Sequence, residues 1–272
     1  MSDYISFLLL PFLGCLALVG ILAYFGMHVI KRGIIFVDLS LAQVAALGMT
    51  LSILLGNELE DTVTYFLSLG FALVGAALFT YTRGIKSEIP QEAIIGIVYA
   101  VSTAASILMV SHSPEGAEHI EHLLVGSILT VTSGEIWQAA GLFFVIGMFH
   151  FVKRAEFMKL SFQKDATEKY SKLWEFLFYA SFAVAVTSAV KICGVLMVFV
   201  FLVVPSVYAT LVTDKGVMPR LLHGWLFGLI GSAVGLILSF QIDTPTGPTV
   251  VCTFGLMLLL YGGYRIVLRK SN

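Results

Sequence analysis

Apolar residues run along this chain in long blocks, with most of the polar residues between them. The blocks lie at about 5–30, 33–56, 62–81, 92–111, 136–152, 174–190, 193–213, 221–240 and 249–267. Each is near the ~20 residues that an α-helix needs to cross the ~30 Å hydrocarbon core of a bilayer. The pattern predicts an all-α, polytopic integral membrane protein of about nine transmembrane helices. Eight is the alternative, because block 33–56 is rich in small residues and block 193–213 contains Pro205; either one, if broken rather than spanning, removes a crossing. A further apolar run, Leu123–Val131, is too short to cross and reads as a re-entrant or interfacial turn that protein must cover.

Composition agrees with the pattern. Of 272 residues, 58% are hydrophobic and 12% charged, whereas a soluble domain carries about 25% charged residues. A net charge of −1 gives no reason to expect nucleic-acid binding. Met1–Asp3 lacks a basic leader, so the first block is expected to span rather than be cleaved. Cys15, Cys193 and Cys252 lie in apolar blocks without CxxC spacing, which points to free thiols. Residues 1–272 read as one transmembrane domain.

Charge sets the expected orientation. All basic residues except Lys191 fall in one set of loops: Lys31/Arg32, Arg83/Lys86, Lys153–Lys172, Lys215/Arg220 and the tail Arg265, Arg269, Lys270. The other loops hold Glu58, Glu60, Asp61, Glu115, Glu118, Glu121 and Asp243. By the positive-inside rule the basic side, with the C-terminus, is cytoplasmic. With nine crossings the N-terminus is outside. The largest cytoplasmic loop, about 153–173, mixes both charge signs with helix-forming residues, as a solvated connector or a docking surface would. No GxxxxGK[ST] phosphate loop occurs, so any ATP hydrolysis belongs to another subunit.

Five stretches in order resemble the permease subunit of the zinc/manganese/iron metal-importing ABC transporters. They are Lys31-Arg32 followed by Asp38 and a small-residue helix to Gly48; EAIIGIVYA (Glu92–Ala100); LLVGSILTVTSGEI (Leu123–Ile136); GVLMVFVFLVVPSVYATLV (Gly194–Val212); and DTPTGPTVV (Asp243–Val251). The resemblance implies an importer permease of the vitamin-B12-importer type (type II), seated in a bacterial-type cytoplasmic membrane. It would pair with a second copy of itself and sit on two ATP-binding subunits. A solute-binding protein would deliver the metal from outside. The resemblance further implies that Asp165, Glu168, Lys169 and Tyr170 occupy the position of the family's coupling helix, although its proline and glycine are missing here.

Three groups of residues are candidates for chemistry. Asp38 stands in an apolar block, where a charge is costly and usually serves a partner or a pathway. The family often shows Asp–x3–His on this helix, whereas here the pattern is Asp38–x4–Gln43. That spacing puts the two side chains about 140° apart on a regular helix, so a π-bulge is needed to bring them to one face. Without it, Asp38 acts alone or with groups from other helices, or pairs with Lys31 or Arg32. The second group is SHSPEGAEHIEHLL (Ser111–Leu124), where His112, His119 and His122 mix with Glu115, Glu118 and Glu121. His119 and His122 are spaced to share an ion on a helix, or the loop is a solvated acidic turn. The third is Asp243 in a stiff DTPTGP turn, where it caps the following helix or meets the delivery protein. His28, His150 and His223 read as single interfacial or packed histidines. No HExxH or nucleophile–base pair supports an intramembrane enzyme.

The resulting expectation is the permease of an ATP-driven importer of a divalent transition metal, zinc first and manganese or iron possible, working by alternating access past Asp38. Its expected contents are a transported metal and no permanent cofactor, with membrane lipid around it. The rival reading is an ion-coupled secondary transporter without an ATPase.

Overall fold

In a computed structural model, residues 2–58, 61–83, 89–111, 128–162 and 172–271 are described. Their regular structure is helical: α1 (Ser2–Arg32), α2 (Val37–Leu54), α3 (Thr62–Arg83), α4 (Gln91–Val110), α5 (Ser133–Val152), the short α6 (Arg154–Phe162), α7 (Lys172–Val212), α8 (Val217–Ile242) and α9 (Thr246–Ser271). Eight of them, all but α6, are long and apolar enough to cross a membrane. That is the lower of the two helix counts, yet all nine predicted blocks are present, because α7 holds both 174–190 and 193–213.

The 41 residues of α7 would measure about 60 Å as one rod, twice the hydrocarbon thickness. Gly194 breaks it with φ 75° and ψ 165°, a left-handed conformation that glycine adopts without a Cβ penalty. The chain reverses there. Before Gly194, Glu175 meets Arg32 and Phe182 meets Phe25 (ring centroids 4.9 Å apart), so this half runs antiparallel to α1. After Gly194, Phe201 meets Phe254 (5.4 Å) and Tyr208 meets Tyr261 (4.7 Å), so this half runs parallel to α9. α9 is antiparallel to α8, which packs Gly235 on Val250, and α8 is antiparallel to α1, with Gly228 on Val19 and Phe240 on Phe7. The two halves of α7 therefore form a hairpin, and each is long enough to span. Gly194, the first residue of the Gly194–Val212 stretch, is the corner of that hairpin.

α1 and α7 are central, and the fully buried Phe25, Phe178, Tyr179, Phe182 and Phe201 fill the space between them. The large apolar side chains left exposed, such as Phe66, Leu108, Phe144 and Leu259, face outward on the bundle, as a lipid-facing surface requires. Small residues set the close approaches. A Cβ on Gly26 would lie 1.9 Å from the Leu202 carbonyl oxygen and 2.4 Å from Ser206 Oγ, which donates to the Ala23 carbonyl at 3.0 Å. Capping is local elsewhere: Thr132 and Glu135 form a reciprocal capping box at the start of α5.

Of the short Leu123–Val131 run, only the end is described; Ile128 and Val131 are buried, as a covered turn requires. The three cysteines are free; Cys15 and Cys193 are buried, whereas Cys252 is exposed.

The Gly26 contact is testable. Gly26→Ala forces α1 away from a backbone carbonyl of α7, an overpacking cost of about 1–3 kcal/mol. Its melting temperature in detergent is expected to fall by several degrees, while Gly141→Ala, whose Cβ meets nothing within 4 Å, stays at the wild-type value.

Candidate functional site

One end of the bundle carries paired charge in its interior. Arg32, at the last turn of α1, has a side chain with no exposure and reaches the carboxylate of Glu175 on α7. Arg32 reaches both oxygens, and Arg83, from the last turn of α3, shares Oε1 of the same carboxylate. The Arg32 guanidinium also lies over the ring of Phe178, 4.2 Å from its centroid, and 5.0 Å from that of Tyr179. One carboxylate thus ties the ends of three helices. Above it, Gln91 donates to the Phe79 carbonyl (2.9 Å) and the Tyr179 hydroxyl (3.1 Å). Glu92 accepts from the backbone N–H of Ile35 at 3.1 Å, anchoring α4 to the corner between α1 and α2. That corner turns at Gly33, φ 66°. The acidic residue of the EAIIG stretch is therefore a corner anchor.

Asp38 sits in the first turn of α2, just beyond this corner, and is 1% exposed. Neither carboxylate oxygen makes a hydrogen bond among the described residues. The positive end of the helix dipole lies at this first turn and favours an anion. The pairing of Asp38 with Lys31 or Arg32 that the sequence allows is not formed, because Arg32 is committed to Glu175.

Gln43 is also buried, but α2 is a regular α-helix from Val37 to Leu54. The π-bulge that would align the two side chains is absent, and they project about 140° apart. α2 keeps its regular ladder among α3, α4 and α7 and is the most buried of the spans. The other buried oxygens without a partner among the described residues are Ser40 Oγ on α2 and Thr187 Oγ1 on α7, helices that pack on each other. No cluster of three or more His, Cys, Asp or Glu side chains able to hold a metal occurs among the described residues.

The packing expected of His28 and His150 is found, but not their isolation. His28 and His150 are buried in one aromatic cluster rather than standing singly at span ends. Tyr24 bridges them, with its ring 4.8 Å from that of His28 and its hydroxyl 3.1 Å from His150 Nδ1. His28 Nδ1 is 2.7 Å from Ser161 Oγ on α6, and His150 Nε2 is 2.8 Å from Ser181 Oγ on α7. His150 also stacks on Phe157 of α6 at 3.9 Å. The cluster fastens α6, the first part of the 153–173 loop, beneath α1, α5 and α7. His223 bonds the Pro219 carbonyl in its own helix.

Asp243 is exposed and left-handed (φ 50°), ending α8 through its backbone. The expected capping of the following helix is not made by its side chain. Instead, Ser239 bonds the Thr244 carbonyl and Thr246, and Thr244 bonds Thr249. His112, His119, His122 and their glutamates, and Asp165, Glu168, Lys169 and Tyr170, lie outside the described residues.

A lipid-facing helical bundle whose interior holds one unpaired carboxylate, locked by ion pairs at its basic end, is by class a membrane transport permease. The chain belongs to the ABC 3 transport family, whose model matches residues 5–262. It is similar to the manganese transport system membrane protein MntC of Listeria monocytogenes, 24% identical over 229 residues covering 83% of this chain and 79% of that one. The manganese import system permease protein ScaB of Streptococcus gordonii is 22% identical over 86% of this chain and 83% of its own length. A probable iron transport system membrane protein of Haemophilus influenzae is 26% identical over 72% of this chain and 70% of its own. The fold is that of PsaBC from Streptococcus pneumoniae, solved in complex with Fab, at a TM-score of 0.76 with 20% identity over 95% of this chain and 93% of that one. It also matches an inward-facing putative metal-chelate type ABC transporter at a TM-score of 0.70, with 20% identity over 95% and 85%. The metal-importing ABC permease family read from five short stretches is thus the one that the whole chain shows.

The charge lock yields a prediction. Glu175→Gln leaves Arg32 and Arg83 without a counterion, and breaking one side of a buried pair costs about 3–5 kcal/mol. The variant is expected to reach the membrane in lower yield and melt well below wild type, while Lys159→Gln, in a half-exposed surface pair, melts unchanged.

Proposed function

We propose that this chain is the membrane permease of an ATP-driven importer of a divalent transition metal, and that the metal passes Asp38. The observation that carries this reading is the buried, unpartnered carboxylate of Asp38. An ionised carboxylate in hydrocarbon without a cation is disfavoured by several kcal/mol. A passing divalent ion supplies the missing charge, and only while it passes. Oxygen donors suit manganese better than the zinc that the sequence favours, since zinc prefers imidazole or thiolate. The relatives named for manganese and iron point the same way. A single carboxylate without a preformed cage holds an ion weakly, which transport requires.

In this reading two copies enclose the path, a solute-binding protein delivers the metal, and a separate subunit hydrolyses ATP. The 163–171 loop receives the push of that subunit. α6 carries it through Phe157, Ser161 and the Tyr24–His28–His150 cluster into α1, α5 and α7. Alternating access then rocks helices tied at one end by Glu175 and hinged at the other by Gly194. The basic end faces the cytoplasm, with the C-terminus.

Asp38→Asn keeps the hydrogen-bonding shape and removes the charge. It is expected to assemble with the ATPase and retain ATP turnover, yet lose most manganese uptake in reconstituted vesicles. Uptake at the wild-type rate would return Asp38 to a packing role. Replacing Asp165 and Glu168 together by Lys is expected to leave the protein in the membrane and separate ATP turnover from uptake. Transport with no ATPase present would favour the ion-coupled alternative.

A further inference from the structure

We infer that the groove between α1, α5 and α8 is a binding site for one anionic phospholipid, with its headgroup at Arg154. Two adjoining cavities, of about 520 and 290 Å³, share Gly20, Ile21, Gly147 and Trp225 and so form one continuous depression. Missing side chains make the floor: a Cβ at Gly20 would meet nothing within 4 Å, and one at Gly147 only Ile21 Cδ1 at 3.9 Å.

The length fits one leaflet. The groove follows α5 from Ala140 to Phe151, eleven residues or about 17 Å at 1.5 Å each, and continues to Arg154 at the start of α6. Half of a bilayer, headgroups included, is about 20–22 Å. A chain lying in the groove would thus start near the midplane and end at headgroup level.

The chemistry changes along it in the same way. Polar groups in the floor and walls are already satisfied within the protein: the Gly20 carbonyl accepts from Trp225 Nε1 at 3.0 Å, Tyr24 bonds His150, and His150 bonds Ser181. They leave an apolar trough with no demand for a polar ligand. Arg154 at its end is exposed, lies over the Phe151 ring at 5.2 Å, and has no ion pair among the described residues. Lys153 precedes it in sequence. An apolar body with a cation at headgroup depth matches an acyl chain ending in a phosphate, and basic pockets between membrane helices select anionic headgroups.

The groove wall is also the wall of the histidine cluster, since Tyr24 and His150 line it. A bound chain would press on the residues that hold α6.

The test uses the full-length protein in bilayer discs of phosphatidylcholine alone or of equal parts phosphatidylcholine and phosphatidylglycerol, followed by release into detergent and native mass spectrometry. Wild type is expected to retain phosphatidylglycerol in preference to phosphatidylcholine. Arg154→Gln, at an exposed position that leaves packing intact, is expected to lower that preference about fivefold, the factor that one cation near an anionic surface is worth. Gly147→Leu, which fills the floor, is expected to lose both lipids. Equal retention of the two lipids by wild type, or an unchanged preference in Arg154→Gln, would overturn the assignment. So would disulfide cross-linking of Gly147→Cys between two copies, which would make the groove a protomer interface.

Discussion

The Glu175 carboxylate is the constraint on which the basic end of this bundle depends. Hydrocarbon offers no water to an arginine, so a guanidinium at the end of α1 must find its counterion inside the protein. Arg32 finds it on α7, and Arg83 shares it from α3. The two rings beneath Arg32 take part of the remaining charge through their faces. Because one anion serves two cations, the ends of α1, α3 and α7 move together or not at all. The corner that leads into α2 is fixed beside this point by Glu92. Asp38 is thereby held at a set depth without being given a partner, and the same economy of charge that stabilises Arg32 leaves Asp38 unneutralised.

Most of the fold was legible because a membrane allows few solutions. Apolar blocks of about 20 residues must be helices, and their ends lie within a few residues of the expected ones: 62–81 against Thr62–Arg83, and 92–111 against Gln91–Val110. The hairpin inside α7 was partly hidden. Hydropathy divides the run into blocks 174–190 and 193–213 at Lys191, but Gly194 is one of 25 glycines, so nothing singles it out as the corner residue. Its backbone angles do.

The site was less legible than the fold. Asp38 could be singled out, because a lone carboxylate in an apolar block is costly whatever the topology. Its relation to Gln43 could not, since residue types alone do not say whether α2 runs regular or takes a π-bulge, and it runs regular. Glu175 reads in sequence as the end of a mixed-charge loop. The signal that could have found it is its place at the start of an apolar block on the side where Arg32 and Arg83 also end theirs. The histidine cluster has no sequence signal, because His28 and Ser161 are 133 residues apart and His150 and Tyr24 are 126 apart.

The two polar centres of the protein differ in kind, and the difference bears on how a permease can be both stable and permissive. Glu175 is satisfied by fixed cations, so disrupting it costs stability. Among the described residues Asp38 is satisfied by nothing fixed, so its burial costs stability, a cost that the cation of the proposed path would offset. A site that bound the ion as firmly as Glu175 holds Arg32 would not release it. A path with no carboxylate at all would offer a divalent ion nothing in exchange for its water. Between those limits, the proposed path would offer an ion one buried carboxylate at the start of α2 and no preformed cage among the described residues. In that proposal the lock at Glu175 ties the ends of the surrounding helices and lies beside the path rather than in it.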